Sequence, residues 1–146
     1  MYRTDQKAQA PMQLIRLVHP RHFDKNKNRF QSIAFQPSTA NGGISVFCPS
    51  CAMETSGKYC QHIRNYYADI SGIPSIFWLF DTSILPSNHV IEESLSSTND
   101  HCHRDIKNIT VKDSRNIFKT HATYPDSFMI CKKNNDHCTL TSTEFG

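Results

Sequence analysis

The most hydrophobic run of this 146-residue chain is Ile76-Phe77-Trp78-Leu79-Phe80, and the prediction of the fold starts from it. Pro74 precedes the run and Asp81 follows it, a pattern that predicts a buried central strand. Before this strand, aromatic and aliphatic residues recur at three- and four-residue steps, which is the apolar stripe of a helix. We therefore predict an α+β domain with a mixed or antiparallel sheet and one main helix, about residues 57–70, packed on it.

The rest of the chain divides around this core. A length of 146 residues suits a single domain. We place that domain at residues 13–133, after a flexible lead at 1–12 and before a mobile tail at 134–146. Alternating or β-branched segments predict further strands at 13–18, 30–35, 44–47, 106–111 and 127–131.

Composition points to a cytoplasmic location. Hydrophobic residues make up 38% of the chain, and no run approaches the roughly 18–20 apolar residues of a membrane span. The polar N-terminus lacks the apolar segment of a secretory signal. Disulfides are rare in the cytosol, which favours metal ligands or thiols for the six cysteines. Secretion by another route would instead allow three disulfides and exclude a zinc site.

The densest group of soft ligands is the pattern C-x2-C-x8-C-x-H. It comprises Cys48, Cys51, Cys60 and His62, four side chains of the types that hold one tetrahedral zinc ion. Residues two apart on a regular helix point to different sides. Cys60 and His62 can therefore face one ion only if the predicted helix begins after Cys60.

This cluster resembles the C-x-C…C-x-H ligand set of SWIM-type zinc fingers, which bind nucleic acids or proteins, although it has C-x2-C in the first position. Residues 1–30 carry seven Lys and Arg against two Asp, a basic lobe that favours phosphates or acidic surfaces. The leading hypothesis is a binding module with a structural zinc site. Its basic lobe would contact a nucleic acid or an acidic protein partner.

Two other groups of ligand-type residues occur, one at residues 100–103 and one near the C-terminus. Asp100, His101, Cys102 and His103 are consecutive, and adjacent residues rarely coordinate one ion together. A composite metal site would use Cys102 or His103 with the later pair, Cys131 and Cys138.

The histidines support an enzymatic alternative. His19 lies among basic residues, one of them Arg16, and His103 begins a predicted strand. Two imidazoles across a cleft can serve as general base and general acid in phosphodiester cleavage. The arrangement is that of small basic ribonucleases that need no metal, and it makes His19 and His103 the candidate catalytic pair.

Three short motifs resemble a segment of small bacterial proteins to which we attach no activity. They are R-x-V-H-P at 16–20, S-x-A-F at 32–35 and S-V at 45–46. The resemblance covers about half of the chain. It implies that His19, Ser32, Ser45 and His103 line one site.

A third hypothesis comes from an Arg, a Ser and a Glu. Arg16, Ser45 and either Glu92 or Glu93 resemble the Arg-Ser-Glu set of some ADP-ribosyltransferases. The resemblance implies that the Arg and Ser position NAD and that the Glu orients the transferred ribose.

Overall fold

A seven-stranded antiparallel sheet organises the molecule. The computed structural model describes residues 11–38, 42–67, 75–94, 99–123, 126–131 and 138–139. Its strands are β1 Gln13–Val18, β2 Phe23–Asp24, β3 Arg29–Phe30, β4 Ile44–Phe47, β5 Ser75–Asp81, β6 Val90–Glu93, β7 His103–Lys107, β8 Phe128–Cys131 and β9 Cys138–Thr139. The large sheet has the order β6-β7-β4-β1-β5-β8-β9, and β2 and β3 form a separate two-stranded sheet.

The predicted α+β class is confirmed. All neighbouring strands of the large sheet run antiparallel, one of the two sheet types expected. The run at 76–80 lies in β5, and its middle residues are buried as predicted. The middle strand of the sheet, however, is β1, with β5 beside it.

In the described part of the chain, three α-helices flank the sheet: α1 Pro49–Ser56, α2 Tyr59–Tyr66 and α3 Val111–His121. The helix predicted at 57–70 is therefore α2, which is shorter than expected, and residues 68–70 lie outside the described ranges. Pro49 starts α1 at a position where its missing N–H is not needed. Gly57 ends α1 with a φ of +83°, the left-handed conformation that favours glycine. The chain turns at this residue, and α2 begins at Tyr59.

The sheet has a core on each face. Leu14, Val46, Trp78 and Phe118 belong to the larger core, which α3 covers. Ile15, Phe47, Phe77 and Ile63 belong to the smaller one, under α1 and α2. Successive residues of a strand point to opposite faces, so odd-numbered positions of β1 and β4 lie on the α1–α2 face.

The predicted terminal segments fall mostly outside the described ranges. Met12 is an exception, because its backbone N–H donates to Thr82 Oγ1 at 3.0 Å and its carbonyl accepts from the Thr82 N–H at 2.8 Å. Cys138–Thr139 is another, since it pairs with β8. No helix in the described part of the chain is long and apolar enough to cross a bilayer.

Candidate functional site

Ser45 and His103 meet across two neighbouring strands. The β4–β7 register pairs Phe47 with His103 and Ser45 with Asp105, which places all four residues on the α1–α2 face. Ser45 Oγ lies 2.5 Å from His103 Nε2. Ser45 is exposed, whereas His103 is only 6% exposed. An exposed serine is thus bonded to a shielded imidazole.

Ser94 orients the other side of the same imidazole. His103 Nδ1 lies 3.0 Å from the Ser94 carbonyl oxygen and 3.0 Å from Ser94 Oγ. Ser94 Oγ in turn donates to Asp105 Oδ2 at 2.8 Å. A carbonyl oxygen can only accept, so Nδ1 carries a proton. In the neutral imidazole, Nε2 then presents its lone pair to the Ser45 hydroxyl. We call Ser45, His103, Ser94 and Asp105 the surface network.

The Asp105 carboxylate lies alongside the ring. Its Oδ1 is 4.0 Å from His103 Nε2, and this oxygen has no hydrogen-bond partner within the described ranges. Asp105 is 6% exposed. A buried carboxylate oxygen with spare accepting capacity is positioned to stabilise positive charge on the imidazole.

The Arg16 side chain holds the main chain of Ser45 in place. Its Nη1 donates to the Ser45 carbonyl at 2.8 Å, and its Nε donates to the Ala34 carbonyl at 3.1 Å. Burial lowers the pKa of the guanidinium to about 10, which leaves it charged at neutral pH. Arg16 therefore contacts the Ser45 main chain, and both described hydrogen bonds of its side chain go to carbonyl groups.

A second serine–histidine group lies deeper, between α1, α2 and the segment before β7. Ser56 Oγ is 2.9 Å from His62 Nδ1, and His62 Nε2 is 2.9 Å from Asp100 Oδ1. The carboxylate also accepts from the Tyr67 hydroxyl at 2.6 Å and from the Cys102 N–H at 2.9 Å. His62 and Asp100 are both 0% exposed. We call Ser56, His62, Asp100 and Tyr67 the buried network.

The four predicted zinc ligands do not form one group of close ligand atoms in the described structure. Cys51 is joined to Cys102 in a disulfide, and Cys60 is disulfide-bonded as well. Both bonds occupy sulfurs that a zinc ion would need as thiolates. The helix α2 begins at Tyr59, before Cys60, so the condition for Cys60 and His62 to face one ion is not met.

Two groups of side chains in the described structure could nevertheless hold a metal ion. Cys51, His101 and Cys102 place one ligand atom each within 4.8 Å of one another, and so do His62, Asp100 and Cys102. The predicted composite site shares only Cys102 with these groups. The side chains of Cys131 and Cys138, its other members, lie outside the described structure.

His19 and Ser32 lie away from the surface network in their described contacts. His19 Nδ1 accepts from the Arg21 N–H at 3.0 Å, and no described contact joins it to His103. Ser32 lies in a 3₁₀ turn on the α3 side of the sheet, where Arg115 Nε donates to its Oγ at 3.4 Å. Of the four residues expected to line one site, the described contacts join only Ser45 and His103. The ribonuclease with two catalytic histidines stays a prediction.

His22 lies in the 3₁₀ turn Pro20–His22, beside several cationic side chains. Burial lowers its pKa, and the charges of Arg21, His19 and Arg16 lower it further. Its Nδ1 has no hydrogen-bond partner within the described ranges. His22 shares this basic turn with His19, since their ring centroids are 6.3 Å apart.

Glu92 lies in the same row of the sheet as Ser45. The register places Ser45 opposite Asp105 on β7 and Asp105 opposite Glu92 on β6. Glu93 is the next residue and points to the other face. The three residues of the predicted Arg-Ser-Glu set therefore do not meet at one point: Glu92 shares a face with Ser45, whereas Arg16 contacts the Ser45 carbonyl. An ADP-ribosyltransferase stays a prediction.

A basic cavity lies on the opposite side of the sheet. It has a volume of about 390 Å³ and opens between the β2–β3 hairpin and α3. Its cationic lining residues are Lys27, Arg29, Arg115 and Lys119, with Asp24 as the single acid. Lys27 and Arg29 belong to the predicted basic lobe, and α3 supplies the other two.

Comparison of the chain with protein-family models, curated proteins and solved structures finds no match. The resemblances to SWIM-type fingers and to small bacterial proteins therefore stay predictions.

Sequence reasoning missed the residues that connect the surface network. Ser94 has no local motif, and it reaches His103 only through the pairing of β6 with β7. Ser56 was missed for the same reason, because its partner His62 lies on the next helix. Asp105 lies two residues after His103 on the same face of β7, a local spacing that the sequence does show. Asp100 could have been found, since it belongs to the consecutive ligand-type residues at 100–103.

Proposed function

We propose that this protein is a hydrolytic enzyme in which Ser45 is the nucleophile and His103 the general base. The observation that carries the proposal is the chain of contacts from Ser45 Oγ to His103 Nε2, and from His103 Nδ1 to Ser94. A nucleophile bonded to a base, with the base oriented by a third group, is the arrangement that activates a serine.

Exposure supports the assignment of roles. The Ser45 hydroxyl is open to an incoming substrate, and the imidazole beside it is largely shielded. Shielding lowers the local dielectric constant, so the charges that form during reaction interact more strongly than they would in water. Ser45 can thus be reached while its base stays fixed.

The reaction begins when Ser45 Oγ attacks the acyl carbon of an ester and its proton passes to His103 Nε2. The resulting imidazolium is held between the Ser94 carbonyl at Nδ1 and the Asp105 carboxylate 4.0 Å from Nε2. The leaving alcohol then takes the proton from Nε2 as its bond to the acyl carbon breaks. Water completes the cycle by releasing the acid and restoring the Ser45 hydroxyl.

Arg16 acts as a positioning residue in this scheme. It holds the Ser45 carbonyl from behind, and a small displacement of a nucleophile lowers the rate of reaction strongly. Its own guanidinium is turned away from the Ser45 hydroxyl toward main-chain oxygens, so we assign it no contact with substrate.

Covalent labelling tests the proposal directly. A fluorophosphonate probe phosphonylates an activated serine, forming an Oγ–P bond and releasing fluoride. We expect the parent protein to be labelled at Ser45, and we expect Ser45→Ala and His103→Ala to lose the label. The matched control is Ser56→Ala, which removes the serine of the buried network and should keep the label once folding is verified by circular dichroism.

Three outcomes would refute the proposal: an unlabelled parent protein, a label that persists in Ser45→Ala, or a label located on Ser56. Release of nitrophenol from a short-chain nitrophenyl ester provides the second readout. It should be lost in the same two variants that lose the label.

A second candidate function is recognition of nucleic acid at the basic cavity. Four cations face one acid there, and phosphates are bound by clustered Lys and Arg. The cavity joins the basic lobe to α3, so it brings together charges that the sequence separates. This candidate is the binding module of the leading sequence hypothesis, without its zinc site.

Its test compares charge reversals of equal size at two places. Arg115→Glu should weaken binding of a fluorescent single-stranded RNA several-fold and reduce its salt dependence. Lys58→Glu is the matched control, because Lys58 is exposed and lies at the start of α2 instead of in the cavity. Equal weakening by both variants, or no binding by the parent, would remove this candidate.

A further inference from the structure

We propose that reduction of the Cys51–Cys102 disulfide creates a zinc site formed by Cys51, His101 and Cys102. The ligand atoms of these three residues already lie within 4.8 Å of one another. The set differs from the one that the sequence suggested, because it replaces Cys48, Cys60 and His62 with residues from the segment before β7. It also adds a function that the Ser45–His103 pair does not supply.

The donors are of the types that zinc prefers. Two thiolates and an imidazole match the Cys and His ligands of known sites, with the fourth position open to solvent. His101 is exposed, so an ion can arrive from solvent, whereas Cys102 is fully buried behind it. His101 and Cys102 are adjacent, and adjacent residues rarely bind one ion together. In this structure, however, His101 Nε2 lies 3.8 Å from Cys102 Sγ in the oxidised protein, close enough for one ion to bind both atoms after a small movement.

Neighbouring groups fix the segment that carries His101 and Cys102. In the oxidised protein Thr55 Oγ1 lies 3.1 Å from His101 Nε2 and 3.7 Å from Cys102 Sγ, contacts that zinc would replace. The Cys102 N–H is bonded to Asp100 in the buried network, and the Cys102 carbonyl accepts from the Cys48 N–H at 2.9 Å. These contacts involve the Cys102 main chain, so they do not depend on the disulfide. The backbone around the site can persist when the sulfurs separate.

The chemistry balances in two steps. Reduction of the disulfide takes two electrons and two protons, which a small-molecule thiol supplies in a cell. In the experiment a phosphine and water supply them, and the phosphine leaves as its oxide. Zinc then displaces the two thiol protons and binds both sulfurs as thiolates. In the reverse direction a small-molecule disulfide takes the two electrons and, with two protons, becomes two thiols, which releases the ion and closes the Cys51–Cys102 bond.

The redox state of the compartment decides which form exists. Disulfides persist in oxidising compartments and are reduced by cytosolic thiols. The start of α1 would therefore be held to the segment before β7 by the Cys51–Cys102 bond in an oxidising environment. In a reducing one, zinc bound by Cys51, His101 and Cys102 would hold it.

Zinc content of the two redox forms tests the proposal on the full-length protein. One sample is treated with a phosphine reductant and the other is left oxidised, and both are dialysed against zinc sulfate under argon. We expect about one zinc per chain in the reduced sample and no zinc above the protein-free blank in the oxidised one. The reduced protein with cobalt should show the strong visible absorption of a tetrahedral cobalt–thiolate site.

Variants identify the ligands. Reduced Cys51→Ser and Cys102→Ser should lose the metal, and His101→Ala should bind it at least tenfold more weakly. Cys48→Ser is the matched control and should retain the metal, because Cys48 Sγ is outside the group of close ligand atoms. Retention by Cys102→Ser, or loss by Cys48→Ser to the same extent, would overturn the assignment.

Reduction removes a cross-link from the fold, so circular dichroism accompanies each sample. If the reduced metal-free chain unfolds, zinc should restore the native spectrum in the parent and in Cys48→Ser only. Failure of zinc to restore it would overturn the proposal. None of these measurements uses the Ser45 chemistry, so the zinc site and the hydrolase can fail separately.

Discussion

The surface network and the buried network contain the same kinds of groups but differ in burial. Each has a serine bonded to a histidine and an aspartate beside the ring. In the buried network, both ring nitrogens of His62 and both oxygens of Asp100 have partners, and neither residue is exposed. In the surface network the serine is exposed and Asp105 keeps an oxygen without a described partner.

This difference separates a structural role from a chemical one. Burial makes each polar contact costly to remove, because a group left without its partner cannot turn to water. A network closed on all sides therefore stabilises the fold, whereas one with an exposed nucleophile and spare accepting capacity can take part in a reaction. The comparison predicts large stability effects in the buried network and small ones in the surface network.

The largest expected effect is at Asp100. Asp100→Ala leaves His62 Nε2, the Tyr67 hydroxyl and the Cys102 N–H without their acceptor, and we expect a loss of about 3–5 kcal/mol in the free energy of unfolding. Asp105→Ala removes one described hydrogen bond and should cost about 1 kcal/mol. Urea denaturation of both variants measures the difference, and equal losses would show that the two networks do not differ in this way.

The next effect is at the disulfide, which joins α1 to the segment that carries Asp100. Cys51→Ala with Cys102→Ala removes a cross-link spanning 51 residues, which should cost about 2–4 kcal/mol. The control is Cys48→Ala, a buried thiol whose loss should cost about 1 kcal/mol as a small apolar group. A double variant as stable as Cys48→Ala would mean that the buried network holds this corner without the cross-link.

A smaller effect is expected at Ser56. Ser56→Ala leaves the buried His62 Nδ1 without its described partner, and we expect a cost of about 1–2 kcal/mol. The thermal unfolding midpoint should fall while the fluorophosphonate label at Ser45 remains. A change below the error of the measurement would indicate that solvent reaches His62, contrary to its burial.

The fold was predictable where signals are local. The apolar run at 76–80 and the stripe beginning at Tyr59 each indicate an element within a few residues, and both elements exist. The helix α1 was missed although its signals are present, with Pro49 at its first position and Gly57 at its end. Pro49 lies between Cys48 and Cys51, so the start of α1 falls inside the predicted zinc motif.

The candidate site was predictable only in part because its contacts are distant in sequence. Ser45 and His103 are 58 residues apart, and the β4–β7 register alone brings them together. The Cys51–Cys102 bond likewise joins residues 51 apart. A cytoplasmic location argued against such bonds. That location stays a prediction, and the disulfide suits an oxidising environment better.

The smallest stability effect should be at Ser45, and it distinguishes most clearly between a chemical and a structural role of the surface network. Ser45 is exposed, so Ser45→Ala should change the free energy of unfolding by about 0.5 kcal/mol or less, although labelling is lost. In a double-mutant cycle with His103→Ala, each single variant and the double variant should share one background rate, because the two groups act as a unit. Independent, additive losses would mean that the hydroxyl and the imidazole do not cooperate. If Ser45→Ala instead destabilised the protein as much as Ser56→Ala, the surface network would be structural too.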